Sequence, residues 1–415
     1  MKRTVACLAP VLLLLALARA GVSGQSAVAK LDFDKVDPAR MLIDPYSYWN
    51  QPHSFYYFRH MDEVPHQRVD WIRRSGRTVP LKKASATLQP TYTVEGRSWK
   101  LDDYLEQNFV MAFLVVKDGE IVLERYRQGA GPEDRFISFS VGKSVTSVLF
   151  GVAMDEGKVA SVDDPVTKYL PELANTRYAA VSIRNALNMA TGVRYDEEYL
   201  NPASDVHRLL TALMRGSERF TTMAAAFGAR EPERKPGTQF DYQSIDTQML
   251  TEILEKVTGT RLAAYAEQKL WKKLGAESDA FIFQSDKLAQ SCGFACFNAR
   301  PRDYARFAMM AMNYGTLGGS RIVSEKWMRE STTAPAFANN YGYQWWLTPD
   351  SPDHAFRAIG IYGQTLYINP AKRVVVVQFS ARPRPSGRNP GDPPPPPAPF
   401  DAIAESLARP PSSQH

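Results

Sequence analysis

A serine followed three residues later by a lysine stands at the mouth of an apolar run, in Phe139-Ser140-Val141-Gly142-Lys143-Ser144. If Ser140 opens a helix, Lys143 lies one turn on, on the same face and within reach of the serine oxygen. That spacing sets a weak nucleophile beside an amine able to take its proton. The helix N-terminus adds partial positive charge where negative charge builds during acyl transfer. The plain alternative is an N-capping serine followed by a solvated lysine. Gly142-Lys143-Ser144 also matches the end of a phosphate-binding loop. Such a loop needs a glycine where Ile137 stands, and residues 136–141 contain none.

A second pair of hydroxyls sits about a hundred residues on. Tyr242-Gln243-Ser244 lies just before an amphipathic stretch, Ile245–Val257. A phenol near a lysine ammonium can have its pKa lowered and act as a proton shuttle. Alone, the stretch reads equally as a buried tyrosine beside a capping serine. Paired with Ser140 and Lys143, it points to acyl-transfer chemistry.

These residues need a scaffold. Ser98–Gln107 reads as a short helix. Phe113–Val116, Asp118-Gly119 and Ile121–Tyr126 read as a hairpin. Ser140–Glu156 is a long apolar helix stopped by Gly157. Asp163–Ala190 suits a helical region with Pro165 at a helix start. Ile245–Val257 is a helix ended by Gly259, and Pro301–Asn313 another. Tyr341–Leu347, Thr365–Ile368 and Arg373–Ser380 read as strands, with Pro370-Ala371-Lys372 turning between the last two. Strands lie at both ends and helices in the middle. The expected fold is therefore α+β, an α/β sandwich: one antiparallel sheet flanked by helices, with an all-helical subdomain inserted. Residues 25–97 form an aromatic-rich arm whose rings pack on a main domain at 98–383. Residues 384–415 are a Pro-rich linker followed by a short helix, Phe400–Ala408, able to dock on the sheet.

Met1–Ala20 has the form of a secretory signal. Lys2 and Arg3 precede an apolar stretch, Val5–Leu17, that is too short to span a bilayer. Ala18-Arg19-Ala20 forms a small-x-small cleavage site, with Val22-Ser23-Gly24 a second option. The expected location is periplasmic or secreted, with no transmembrane anchor after cleavage. Losing Lys2, Arg3 and Arg19 removes part of the formal +6 charge, and no basic cluster with interleaved aromatics argues for nucleic acid. The remaining cysteines, Cys292 and Cys296, suit either a local disulfide or two buried thiols. The six histidines are scattered, so no metal site is implied and no cofactor is needed.

Taken together, Phe139–Gly157, Asp163-Asp164-Pro165-Val166, Leu187-x-Met189-x-Thr191-Gly192, Pro236-Gly237 and Tyr242-x-Ser244 resemble the serine β-lactamase and penicillin-binding-protein superfamily. The pattern is most similar to class C β-lactamase-like esterases and D-peptidases. Within these it resembles the 6-aminohexanoate-dimer hydrolases, on Tyr242–Gln248, Tyr341-Gly342-Tyr343-Gln344-Trp345-Trp346 and Gly360-Ile361-Tyr362-Gly363-Gln364. The resemblance implies catalytic roles for Ser140, Lys143 and Tyr242, and an oxyanion hole from the N–H groups of Ser140 and Ile361. It adds Gly360, Ser244 and Tyr362 to the substrate side. It also implies an amide-binding tyrosine on the loop Tyr195-Asp196-Glu197-Glu198-Tyr199, for which Tyr199 is the choice and Tyr195 the alternative.

The third family motif departs. Penicillin-recognising members carry Lys-Thr-Gly or His-Thr-Gly on the strand beside the nucleophile, and the matching stretch here is Ala358-Ile359-Gly360. The glycine that permits close backbone approach remains. The cation that would hold a β-lactam carboxylate is absent, and Arg357 would point to the opposite strand face. The expectation is an exported serine hydrolase of small esters or amides. The alternatives are a β-lactamase or D-Ala-D-Ala peptidase, and a non-catalytic envelope binding protein.

Overall fold

The computed structural model describes residues 49–408 apart from 65, 66, 86, 87, 233, 286, 350, 386–391 and 393. The expected signal and the first third of the arm, residues 25–48, lie outside these residues. Eight strands form the main sheet. In spatial order they are Tyr341–Gly342, Trp345–Leu347, Phe356–Ile359, Thr365–Asn369, Val374–Ser380, Val110–Lys117, Glu120–Tyr126 and Lys82–Lys83. Strands from both ends of the chain thus meet at its centre, where Val374–Ser380 pairs antiparallel with Val110–Lys117. The pairing is antiparallel throughout except for Lys82–Lys83, which runs parallel to Glu120–Tyr126.

The central strands are apolar on both faces because both are covered. Phe113, Val115, Val374 and Val376 pack with Tyr104, Phe400 and Ile403 on one side. Ala112, Leu114, Val116, Val375 and Val377 face the larger core that includes the helices Val141–Asp155 and Pro301–Met312. The C-terminal helix Phe400–Ala408 docks on the sheet as expected, with Phe400 stacked on Tyr367 and Asp401 accepting a hydrogen bond from the Tyr367 hydroxyl. Among the described residues, no helix is long and apolar enough to cross a membrane.

Three expectations need correction. The strand expected over Tyr341–Leu347 is broken by a tight turn at Tyr343-Gln344, both with positive φ. The region 163–190 holds 3-10 turns (Val166–Lys168, Pro171–Leu173 and Arg177–Ala180) and one short helix, Ile183–Leu187. Pro165 and Pro171 each lack the N–H that would continue a helix, and only Ser182 supplies a full capping box there. The arm does more than lay rings on the domain. Its Gln67–Ile72 strand pairs with Ala280–Ser285 in a second sheet, ordered Gln67–Ile72, Ala280–Ser285, Phe297–Ala299 and Phe136–Ile137. That sheet delivers the chain to the segment bearing Ser140.

Candidate active site

The Phe136–Ile137 strand ends in a sharp turn. The Ser138 amide donates to the Phe297 carbonyl at 2.7 Å, and the Ser138 hydroxyl reaches the Ala295 carbonyl at 3.0 Å. Phe139 then adopts a left-handed φ of 42°. A bulky residue there stores about 1–3 kcal/mol of strain and persists only where its surroundings dictate it. Ser140 follows at the N-cap of the Val141–Asp155 helix, yet its side chain makes no capping bond. The helix has no solvated face until its last turns. Ser144, Thr146 and Ser147 donate hydrogen bonds of 2.7 Å to the carbonyls of Gln344, Gly293 and Tyr343. The solvated-lysine alternative therefore fails: Lys143 is 1% exposed.

The Lys143 ammonium lies 3.2 Å from the Ser140 Oγ and 3.0 Å from the Ser244 Oγ. The rings of Tyr242 and Phe294 cover it, with centroids 5.0 and 4.8 Å from Nζ. Burial pushes its pKa down to about 8, against the opposing pull of Glu197 and Asp246. Glu197, part-buried, accepts hydrogen bonds from the Ser244 hydroxyl, the Ser244 amide at 2.8 Å and the Tyr199 hydroxyl. Burial raises its carboxyl, and Lys143 and those donors work against the rise. Asp246, fully buried, accepts from Thr191 at 3.2 Å, and burial drives its carboxyl well above the usual range toward the neutral acid.

Tyr242 stacks on Trp346 and meets Tyr341 edge-on, in a wall that Phe240 extends. The Ser140 side chain works to lower the pKa of the Tyr242 phenol. Burial nevertheless raises its pKa, and Glu197 adds to the rise. The expectation of a lowered phenol is thus overturned, because desolvation outweighs the opposing effect of the Ser140 side chain. Ser140 and Ile361 have amides with no partner among the described residues. Gly360 sits so close to the turn before Ser140 that a Cβ would lie 2.9 Å from the Ser138 carbonyl oxygen.

The other expected residues divide. Ser244 and Tyr199 are brought into the Lys143 cluster. Tyr195 is instead buried edge-on against Phe227 in the helical part. Tyr362 is also a correction: it is 1% exposed, with its ring between Phe58 and Phe139 rather than on an open surface. Arg357 points away as expected, pairing with Asp401 at 2.9 Å.

The β-lactamase family model matches residues 101–394. The chain belongs to the β-lactamase family. A 6-aminohexanoate-dimer hydrolase of Paenarthrobacter ureafaciens is 32% identical over 355 residues, covering 79% of this chain and 88% of that protein. Two solved structures share the fold. A Bacillus anthracis protein described as a candidate 6-aminohexanoate-dimer hydrolase superposes with TM-score 0.74 at 23% identity, covering 88% of this chain and 94% of that one. A family VIII carboxylesterase gives 0.55 at 19%, covering 74% and 95%. The chain is accordingly a hydrolase of the β-lactamase family, with the superfamily's mixed α/β architecture.

Sequence reasoning missed Glu197, Phe294 and Asp246. Glu197 stands in an acidic loop indistinguishable from a solvated one, and no spacing links it to Ser244. Phe294 lies between the disulfide-bonded Cys292 and Cys296, and nothing local places it over Lys143. Glu197→Gln removes the negative charge that favours the Lys143 ammonium, so the amine should titrate lower. For a p-nitrophenyl ester, the acid limb of the kcat/KM profile is expected near pH 8 in the wild type and below that in the variant. A limb that stays in place would show that this carboxylate is not coupled to the amine.

Proposed function

We propose that this hydrolase cleaves small esters or amides through an acyl-enzyme on Ser140. The observation that carries the reading is the buried Lys143 amine, 3.2 Å from the Ser140 hydroxyl and lowered to about 8. In its neutral form the amine accepts the serine proton as Oγ bonds to the carbonyl carbon. The carbonyl electron pair moves onto oxygen, where the Ser140 and Ile361 amides stabilise it. Tyr242, kept as a phenol by burial, gives its proton to the departing alkoxide or amine and recovers one from Lys143. Water then attacks the acyl carbon, its proton passing to the same pair, which returns a proton to the Ser140 oxygen as the acyl bond breaks. Ser244 joins Lys143 to Glu197 and holds both in register.

The substrate reading rests on the Ala358-Ile359-Gly360 strand end, which offers no cation for a lactam carboxylate. A short linear amide, of the class named in the Paenarthrobacter relative, or a short-chain ester suits such a site. Export is supported by the form of Met1–Ala20 and by the Cys292–Cys296 bridge, since disulfides persist in oxidising compartments. N-terminal sequencing of protein recovered from periplasm or medium should begin near residue 21 or 25. An intact Met1 on active cytoplasmic protein would rule export out.

Ser140→Ala should abolish ester hydrolysis and labelling by a fluorophosphonate, with the thermal midpoint little changed. Lys143→Ala and Tyr242→Phe should each lower kcat by about a hundredfold or more, the scale of general acid–base groups. Retained activity in any of the three defeats the assignment. Nitrocefin should be a poorer substrate than p-nitrophenyl butyrate by kcat/KM at one pH, because a missing charge-assisted hydrogen bond forfeits about 1.5–3 kcal/mol. A nitrocefin value at or above the ester value would make this a β-lactamase.

A further inference from the structure

The two backbone segments that carry the Ser140 and Ile361 amides are joined by neighbouring rings. Phe139 immediately precedes Ser140, and Tyr362 immediately follows Ile361; their ring centroids are 5.0 Å apart. Two aromatic residues from the N-terminal arm close on this pair. Phe58 meets Phe139 edge-on at 4.9 Å and Tyr362 at 5.0 Å. Trp49 meets the same two at 5.3 and 6.4 Å. All four rings are buried. The arm is also tied to the frame on both sides. The Phe58 carbonyl accepts from the Ile137 amide at 2.8 Å, Gln51 donates to the Ala381 carbonyl at 2.6 Å, and Arg59 pairs with Asp134 at 2.8 Å.

We propose that Trp49 and Phe58 are positioning residues that hold the Ser140 and Ile361 amides at the separation an oxyanion requires. They act through Phe139 and Tyr362, not on substrate. The left-handed Phe139 needs such a clamp, since a relaxed backbone there would swing the Ser140 amide away from its partner. Edge-to-face rings suit the task because their geometry is directional, whereas aliphatic packing of equal volume tolerates rotation. The arm therefore belongs to the working site, although it is remote in sequence from every residue of the Ser140–Lys143–Tyr242 set. The inference rests on the acyl-enzyme reading of Ser140.

The test uses the full-length protein carrying Phe58→Leu, Trp49→Leu or Trp49→Phe. Active sites are first counted by fluorophosphonate titration. Steady-state p-nitrophenyl butyrate kinetics are then expressed per titrated site, and thermal midpoints are recorded. The two leucine variants are expected to lose about tenfold or more in kcat per site with KM little changed, part of the hundredfold or greater loss that follows removal of an oxyanion donor. Trp49→Phe, which keeps a ring edge, should recover most of that loss. A purely structural role would instead reduce the number of titrated sites and leave kcat per site near wild type, and that result overturns the proposal. Should Phe58→Leu fail to fold, the Trp49 pair alone decides. Wild-type protein that fails to label at Ser140 would sink the acyl-enzyme reading itself, a separate outcome from arm variants that match a labelled wild type.

Discussion

The proposed chemistry depends on a lysine amine removed from water. An exposed ammonium holds its proton far above neutrality and is useless as a base there. Lys143 is enclosed by the rings of Tyr242 and Phe294 and touches two hydroxyls, with carboxyls only at one remove. Direct contact with a carboxylate would have locked it as an ion pair. Ser244 stands between Lys143 and Glu197, so the charge is felt but not touched. That spacing leaves the amine near the midpoint of its titration at mildly alkaline pH.

Enclosing an amine this way requires several elements at one point. The Val141–Asp155 helix enters from the small sheet, the Ser244–Thr258 helix from the helical part, and the 292–296 disulfide loop from a third direction. Gln344 binds the first two of these to each other and to the Ile183–Leu187 helix. Its side-chain oxygen accepts from Thr247 at 2.6 Å, its side-chain nitrogen reaches the Ala186 and Leu187 carbonyls, and its own carbonyl receives Ser144. A buried network of this kind is rigid only while every member is paired. The positive φ at Tyr343 and Gln344 follows from the need to present those groups to three helices at once.

The strand end Ala358-Ile359-Gly360 carries no lactam-type cation. The strand Phe356–Ile359 presents Ala358 to the core and turns Arg357 toward the C-terminal helix. Beside Tyr242 the site is walled by rings, with Phe240, Tyr341 and Trp346 packed on one another.

What the sequence by itself determined was local. A serine and a lysine three apart before an apolar run, a tyrosine and serine two apart before another, and apolar strands at both chain ends were enough to place the helices at 140–156, 245–257 and 301–313, to expect one antiparallel sheet joining both ends, and to single out Ser140, Lys143 and Tyr242, but not to read the helices Asp205–Arg215 and Phe220–Gly228. These signals are legible because helix and strand periods tie residue spacing to a shared face. The pKa directions, the role of Glu197, the cover by Phe294 and the strand contributed by the arm were decided only by tertiary structure. Each depends on desolvation or on contacts between segments far apart in the chain. Tyr242 illustrates the difference. Its spacing marked it as a partner of Lys143, but whether the phenol would be lowered by the amine or raised by burial turned on how much water the Trp346 and Tyr341 rings exclude.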